Sequence, residues 1–356
     1  MSDASSPTPA TAPTASGPPQ MILQPRESLF GRFGKFLLIA LGICVVSMMG
    51  MAAQVQKYFG DGQGPPEKYH SLSRDAGDKI AIVTVSGAIM EGDDFVEQQL
   101  EAIEKDDAVK AVVLRIDSPG GTVTYSDRLY HKVTELREER DLPMVVSMGS
   151  LCASGGYYLA MAVGDQPDTI FAEPTTWTGS IGVVIPSYNF SRTMNITGVQ
   201  DLSVTSGDLK LMGSPTQKRT EKETEVLQTL VDISFDGFKD IVRSGRPELA
   251  EDEEALARVT TGQIFTATQA LDLGLVDKLG FVEAAIDRAA ELAGVSTDNV
   301  RAVEFERKVT PIEQILGATS QEQPADASLS LRGLIEASTP RAYYLSTMAP
   351  VLLRSN

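Results

Sequence analysis

Pro143-Met144-Val145-Val146-Ser147-Met148-Gly149-Ser150-Leu151-Cys152-Ala153-Ser154-Gly155-Gly156-Tyr157-Tyr158-Leu159-Ala160 is an apolar, β-branched run that passes into small residues. Its first part reads as a strand over Val145–Met148 and its second as a helix over Ser154–Val163. A serine at such a junction, flanked by glycines, gains exposed backbone amides and the positive end of a helix, which suits a nucleophile. The same residues would serve equally well as a helix cap with tight packing. The flanking chain has to decide between them.

Outward from that junction the pattern alternates. Lys79–Val85 and Val109–Ile116 are β-branched runs expected as buried strands, and Ile170–Ala172 and Ile181–Ile185 as short ones. Between and after them Asp94–Lys105, Tyr125–Arg140 and Thr220–Ser244 have helical periodicity, the last with Val226, Leu230, Ile233 and Phe238 on its apolar face. Glu251–Arg258, Thr268–Leu273 and Val282–Ala293 are shorter helices, and Gly274–Gly280 a short strand or turn. Strands alternating with helices give an α/β core with crossover connections.

The ends differ from this core. Residues 1–35 begin with a Ser-, Thr-, Pro- and Ala-rich stretch that cannot offset its ordering entropy and is expected to be disordered. Arg26, Arg32 and Lys35 precede an uncharged run, Phe36–Ala53. As a helix, that run would extend about 27 Å, close to the roughly 30 Å of a bilayer core. The basic flank keeps the N-terminal tail cytoplasmic and places the rest outside. A cleavable signal ending near Gly50-Met51-Ala52 and a buried soluble helix are the alternatives. A lipoprotein signal is disfavoured, because Ile43 precedes Cys44. Residues 54–78, with Gly64-Pro65-Pro66, read as a linker, 79–308 as the folded domain and 309–356 as a mostly flexible tail. Within that tail Pro340–Thr347 is an extended apolar cluster, expected either to fray or to dock as a strand on a neighbouring protomer.

Composition excludes some functions. A net charge of −17 repels nucleic-acid phosphates. Cys44 and Cys152 sit in unrelated contexts and suggest no disulfide framework.

The chemistry available is that of acyl transfer. Gly120-Gly121, at the end of the Val109–Ile116 strand, can turn backbone N–H groups into a cavity as an oxyanion hole requires, although Pro-Gly-Gly is also an ordinary turn. Ser154 offers a hydroxyl. The base is not a downstream histidine, since the only two histidines are His70 and His131, and His131 lies on a charged helix. A lysine freed of its proton can serve instead. Lys210 lies in the irregular Thr205–Pro215, where a surface lysine is the more ordinary reading. From the residues alone the reading stops at a serine hydrolase with a non-histidine base.

The ordered set Asp117-Ser118-Pro119-Gly120-Gly121, Ala153–Tyr158, Thr178–Val183, Lys210 with Gly213-Ser214-Pro215, and Ala270–Asp277 with Leu279-Gly280 resembles the short, single-domain bacterial signal peptide peptidases. These are membrane-anchored serine proteases with a Ser/Lys dyad, and the likeness covers about residues 79–300. The resemblance implies a Clp-protease/crotonase-like α/β spiral. It makes Ser154 the nucleophile, Lys210 the general base and Ser180 the residue that orients the lysine amine. Gly120 and Gly121 would supply the oxyanion hole, with no metal and no cofactor. It further implies an inner-membrane protein that cleaves remnant signal peptides, and a homo-oligomer whose neighbouring protomers share active sites. Asp208 before Lys210, Gln263, and the insertion Asp165–Asp168 depart from the family pattern. Cys152 becomes a packing residue. A crotonase-type acyl-CoA site and an inactive membrane-tethered scaffold are the rival readings.

Overall fold

The computed structural model describes residues 29–60, 64–307 and 343–345, with the side chains of 29–33, 51–60 and 345 left out. The chain divides into two units, one ending at Gly62 and one starting at Gln63. The first contains helix α1 (Leu29–Gly60), whose side chains from 34 to 50 are all exposed. Among the described residues no helix is long and apolar enough to cross a membrane. Residues 51–53 of the expected span fall outside the described side chains, and residues 1–28 of the expected tail fall outside the structure altogether.

In the second unit, β1 (Glu67–Leu72), β2 (Asp78–Ser86), α2 (Phe95–Glu104), β3 (Val109–Ser118), β4 (Gly120–Thr122), α3 (Val123–Arg140) and β5 (Met144–Ala153) come first. Then follow α4 (Gly155–Ala160), β6 (Ile170–Ala172), β7 (Trp177–Gly179), α5 (Ser191–Thr197), α6 (Glu221–Gly245), α7 (Pro247–Glu251) and α8 (Glu253–Val259). The last elements are β8 (Ile264–Thr266), α9 (Ala267–Asp272), β9 (Lys278–Leu279), α10 (Val282–Leu292), β10 (Val300–Phe305) and β11 (Tyr343–Leu345).

The main sheet runs β1-β10-β2-β3-β5-β6-β9, parallel except where β1 meets β10. Its central strands are buried on both faces, and so appear in sequence as unbroken Val/Ile/Leu runs. One face packs Val112, Leu114, Ile116, Val146 and Met148 against α2, α3 and α4; the other packs Ile80, Ile82, Val113 and Val145 under Ala285, Ile286, Ala289 and Ala290 of α10. At the far end of β5 the pairing changes from β6 to β7, which continues antiparallel into β8. The fold is mixed α/β around a central parallel sheet.

Some expectations need correction. The segment read as a linker over 54–78 contains β1, which pairs with β10, and β10 itself was not expected. Ile181–Ile185 is not a strand: pairing stops at Gly179, and of that run only Val184 makes an isolated bridge. On α6, Phe238 is buried as expected, but Leu230 and Ile233 are exposed and Leu227 is buried instead. Of the C-terminal cluster Pro340–Thr347 the described residues are Tyr343–Leu345, which form β11 and pair with β4 of the same chain.

Candidate active site

Ser154 stands where β5 turns into α4. The end of β5 is not straight: its register with β3 shifts between Ile116 and Ser118, opposite the extra residues Gly149–Leu151. Such a bulge re-aims the strand that follows. Three side chains hold it. The Asp117 carboxylate accepts the Leu151 N–H at 3.0 Å, the Thr176 hydroxyl donates to the Gly149 carbonyl at 2.6 Å, and Thr178 donates to the Cys152 carbonyl at 2.6 Å. Sequence reading had placed Asp117 and Thr178 in motifs without a role, and had passed over Thr176.

At the turn, Ser154 adopts φ 55° and ψ −114°, a conformation that a side-chain-bearing residue enters only under constraint. The constraint is visible: the Ser154 N–H donates to the Gly179 carbonyl at 2.8 Å, and the Ser154 carbonyl accepts from Tyr158 N–H at 2.8 Å. The hydroxyl is treated differently. Ser154 is 1% exposed and, among the described residues, its Oγ has no hydrogen-bond partner. A buried polar group left unpaired is uncommon and costs about 1–3 kcal/mol. The Oγ of Ser126 on α3, which a side chain on Gly155 would strike, is the second unpaired hydroxyl here.

Gly120 and Gly121 lie against this turn. Gly120 has φ 95°, and a β-carbon on it would stand 2.6 Å from the Gly155 nitrogen and 3.1 Å from the Ala153 carbonyl, besides colliding with the Tyr344 carbonyl oxygen. One on Gly121 would collide with Ile89. Both glycines are therefore required by close backbone approach. The Gly120 N–H is engaged by the Ser118 hydroxyl at 3.1 Å. Thus the backbone of Gly120–Gly121 flanks Ser154 on the side of the Gly155 nitrogen, where α4 begins.

Ser180 is brought to the same end of the sheet. It follows Gly179, is 7% exposed with φ 52°, and donates its N–H to the Gln263 carbonyl at 2.7 Å. Ser180 and Val184 line one side of an open cleft of about 420 Å³, with Val231 and Phe235 of α6 on the other. Lys210 is exposed, in a turn where its N–H donates to the Gly207 carbonyl, and its amine makes no hydrogen bond or ion pair among the described residues, with Asp208 included. Ser154, Ser180, Gly120 and Gly121 thus sit around one turn, and among the described residues Lys210 shares no hydrogen bond with them.

Cys152 is fully buried, and burial pushes its thiol well above the usual range, so it is protonated and inert at neutral pH. His131 is exposed on α3. Among the described residues no cluster of His, Cys, Asp or Glu could hold a metal.

Residues 137–296 match the model of peptidase family S49. A Synechocystis sp. protein named as a protease is 37% identical over 254 residues, covering 71% of this chain and 88% of that one. An Enterococcus faecium protein named as a signal peptide peptidase is 38% identical over 189 residues, 53% of each chain. Protease 4 of Haemophilus influenzae is 31% identical over 230 residues, 62% of this chain and 36% of that one. This chain thus spans about half of the Enterococcus relative and about a third of the Haemophilus one.

Proposed function

The chain belongs to peptidase family S49 and is a serine peptidase, and we propose that it is a membrane-anchored endopeptidase with Ser154 as nucleophile and Lys210 of a neighbouring protomer as general base. The observation that carries the first half is the Ser154 hydroxyl: buried, unpartnered, and held on a strained turn beside the Gly120–Gly121 backbone. A lysine amine entering the cleft beside Ser180 would take the hydroxyl proton as Oγ attacks a peptide carbonyl, and return it to the leaving amine. Each backbone donor to the oxyanion is typically worth about 3 kcal/mol.

Sharing the site between protomers is supported by the segment that carries Lys210. Tyr188, Ile196, Leu202 and Val204 are exposed, α5 buries none of its residues, and Leu230 and Ile233 of α6 are also exposed. Apolar surface in that quantity marks an interface. The membrane anchor is supported by α1, whose described surface exposes Phe36, Leu37, Leu38 and Ile39 without a charged residue from 36 to 50. With the anchor inserted, the peptidase unit lies outside the inner membrane, and apolar remnant signal peptides are the substrate class that such a location supplies.

An active-site serine acylator tests the reading. Wild-type protein should be labelled at Ser154, and Ser154→Ala and Lys210→Ala should each abolish labelling. Labelling that survives Lys210→Ala removes the lysine base, and an unlabelled wild-type chain favours the crotonase-like alternative.

A further inference from the structure

Two adjacent residues at the end of β3 reach both halves of the site. Side chains alternate across a strand, so Asp117 and Ser118 leave β3 on opposite faces. Asp117 reaches the bulge of β5, where one carboxylate oxygen accepts the Leu151 N–H at 3.0 Å. Leu151 is where β5, having left β6 at Met148, starts to pair with β7; Ala153, two residues on, lies opposite Gly179. A β-carbon on Gly149 would stand 3.0 Å from both Cβ and Cγ of Asp117, so the bulge closes tightly round this side chain. Arg115, on the same face of β3, is not its counter-ion. That guanidinium pairs with Glu173 and donates to the Ser147 hydroxyl at 2.9 Å, and among the described residues Asp117 makes no ion pair. What Asp117 supplies is an acceptor for one backbone N–H.

Ser118 turns the other way and is fully buried. Its hydroxyl accepts the Gly120 N–H at 3.1 Å, which fixes the start of the Gly120–Gly121 backbone. A β-carbon on Gly156 would stand 3.1 Å from the Ser118 carbonyl oxygen and 3.4 Å from its Cβ, so the first turn of α4 rests on the same residue. In register Ser118 lies opposite Cys152. It therefore touches the chain on both sides of Ser154. The Ser154 hydroxyl, with no hydrogen bond of its own among the described residues, takes its direction from that backbone.

We propose that Asp117 and Ser118 are a pair of positioning residues for the peptidase reaction. Asp117 sets where the Ser154 turn stands, through Leu151, and Ser118 sets where the Gly120–Gly121 backbone stands. Joined by one peptide bond, they fix the separation between the attacking oxygen and the oxyanion donors. This rests on Ser154 being the nucleophile; neither residue touches the substrate. Without the Asp117 acceptor the bulge loses the bond that holds its last residue, and the turn drifts relative to the glycines. A displacement of about 1 Å at a reacting group costs about a hundredfold in rate. An asparagine side chain offers the same acceptor oxygen without the charge, so it fills the place of Asp117.

Steady-state kinetics of the full-length, assembled protein on an apolar peptide test the pair. Asp117→Ala should lower kcat about a hundredfold with KM within about twofold of wild type, and Asp117→Asn should recover kcat to within about threefold. Gly149→Ala presses a methyl group against Asp117 without removing it. It should lower kcat about tenfold with KM again unchanged, and it replaces Asp117→Ala if that chain does not fold. Ser118→Ala should also lower kcat, and the double variant should be little slower than the worse single one, because the two act as a unit. Unchanged kcat in folded Asp117→Ala and Gly149→Ala, equal losses in the Asn and Ala variants, a loss confined to KM, or losses that multiply in the double variant would each overturn the pairing and leave the nucleophile standing. Activity that persists in Ser154→Ala overturns both.

Discussion

Ser154 and Gly120 are bound to each other by geometry, and each predicts what its neighbour tolerates. Gly120→Ala would set a methyl group against the Tyr344 carbonyl, the Gly155 nitrogen and the Ala153 carbonyl, at a φ that disfavours any side chain. Peptidase activity should fall by a factor of about a hundred or more, because backbone donors displaced from an oxyanion site cost about that much, and steady-state kinetics would show it. Cys152 and Tyr157 make a prediction about pH. Both are fully buried and burial raises both above their ordinary values, which lie near about 8.5 and 10. The unfolded chain therefore loses these protons first, so stability is complete below about pH 8.5 and declines as pH rises from there, by at most about 1.4 kcal/mol per pH unit for each group. Urea midpoints measured between pH 7.5 and 10.5 should fall accordingly. At this scale Ser154, Gly120, Gly121 and Ser180 were legible as candidates because each sits in a local motif. The sequence was silent on the contacts that Tyr344, Phe238 and Ile89 make, because these join positions far apart in the chain.

Among the elements, α6 shows how a helix can be legible in extent and misread in facing. Its start is set by a capping box: the Thr220 hydroxyl accepts from Glu223 N–H while the Glu223 carboxylate accepts from Thr220 N–H. Thr220→Ala should cost about 1 kcal/mol, seen as a lower urea midpoint, with Thr220→Ser close to wild type. Phe238, completely buried where α6 meets Tyr158 and Tyr344, should cost about 3–5 kcal/mol when cut to alanine. Leu230 and Ile233 share the helical period with it but lie on a surface that the single chain leaves bare, so periodicity named an apolar stripe without saying what covers it. The strands diverge for a related reason. β2, β3 and β5 announce themselves by unbroken apolar runs, whereas β1, with Glu67, Lys68 and His70, is an edge strand and reads as polar loop. Ile181–Ile185 has the composition of a strand, but among the described residues only its Val184 finds a bridge partner, Tyr343.

For the whole molecule, a site divided between protomers makes a prediction that a self-contained one does not. Ser154→Ala and Lys210→Ala chains should each be inactive, yet mixing them during assembly should restore activity, to about one quarter of wild type for random pairing at equal amounts. No recovery on mixing would place the base within the same chain. The order of the sheet has a separate consequence, for the moment of synthesis. β1 and β2 are neighbours in sequence, but β10 lies between them, arriving more than two hundred residues later. Until Val300–Phe305 has been made, β2 offers an open apolar edge and β1 lacks its partner strand, so this side of the sheet can close only after β10 has been synthesised. A ribosome-bound chain halted before Val300 should be digested by protease throughout the region of β1 and β2, and one extended past Phe305 should be protected there. A protein built this way leaves one flank of its central sheet unsealed while most of the chain is already made, and the last-made strand is the seam that closes it.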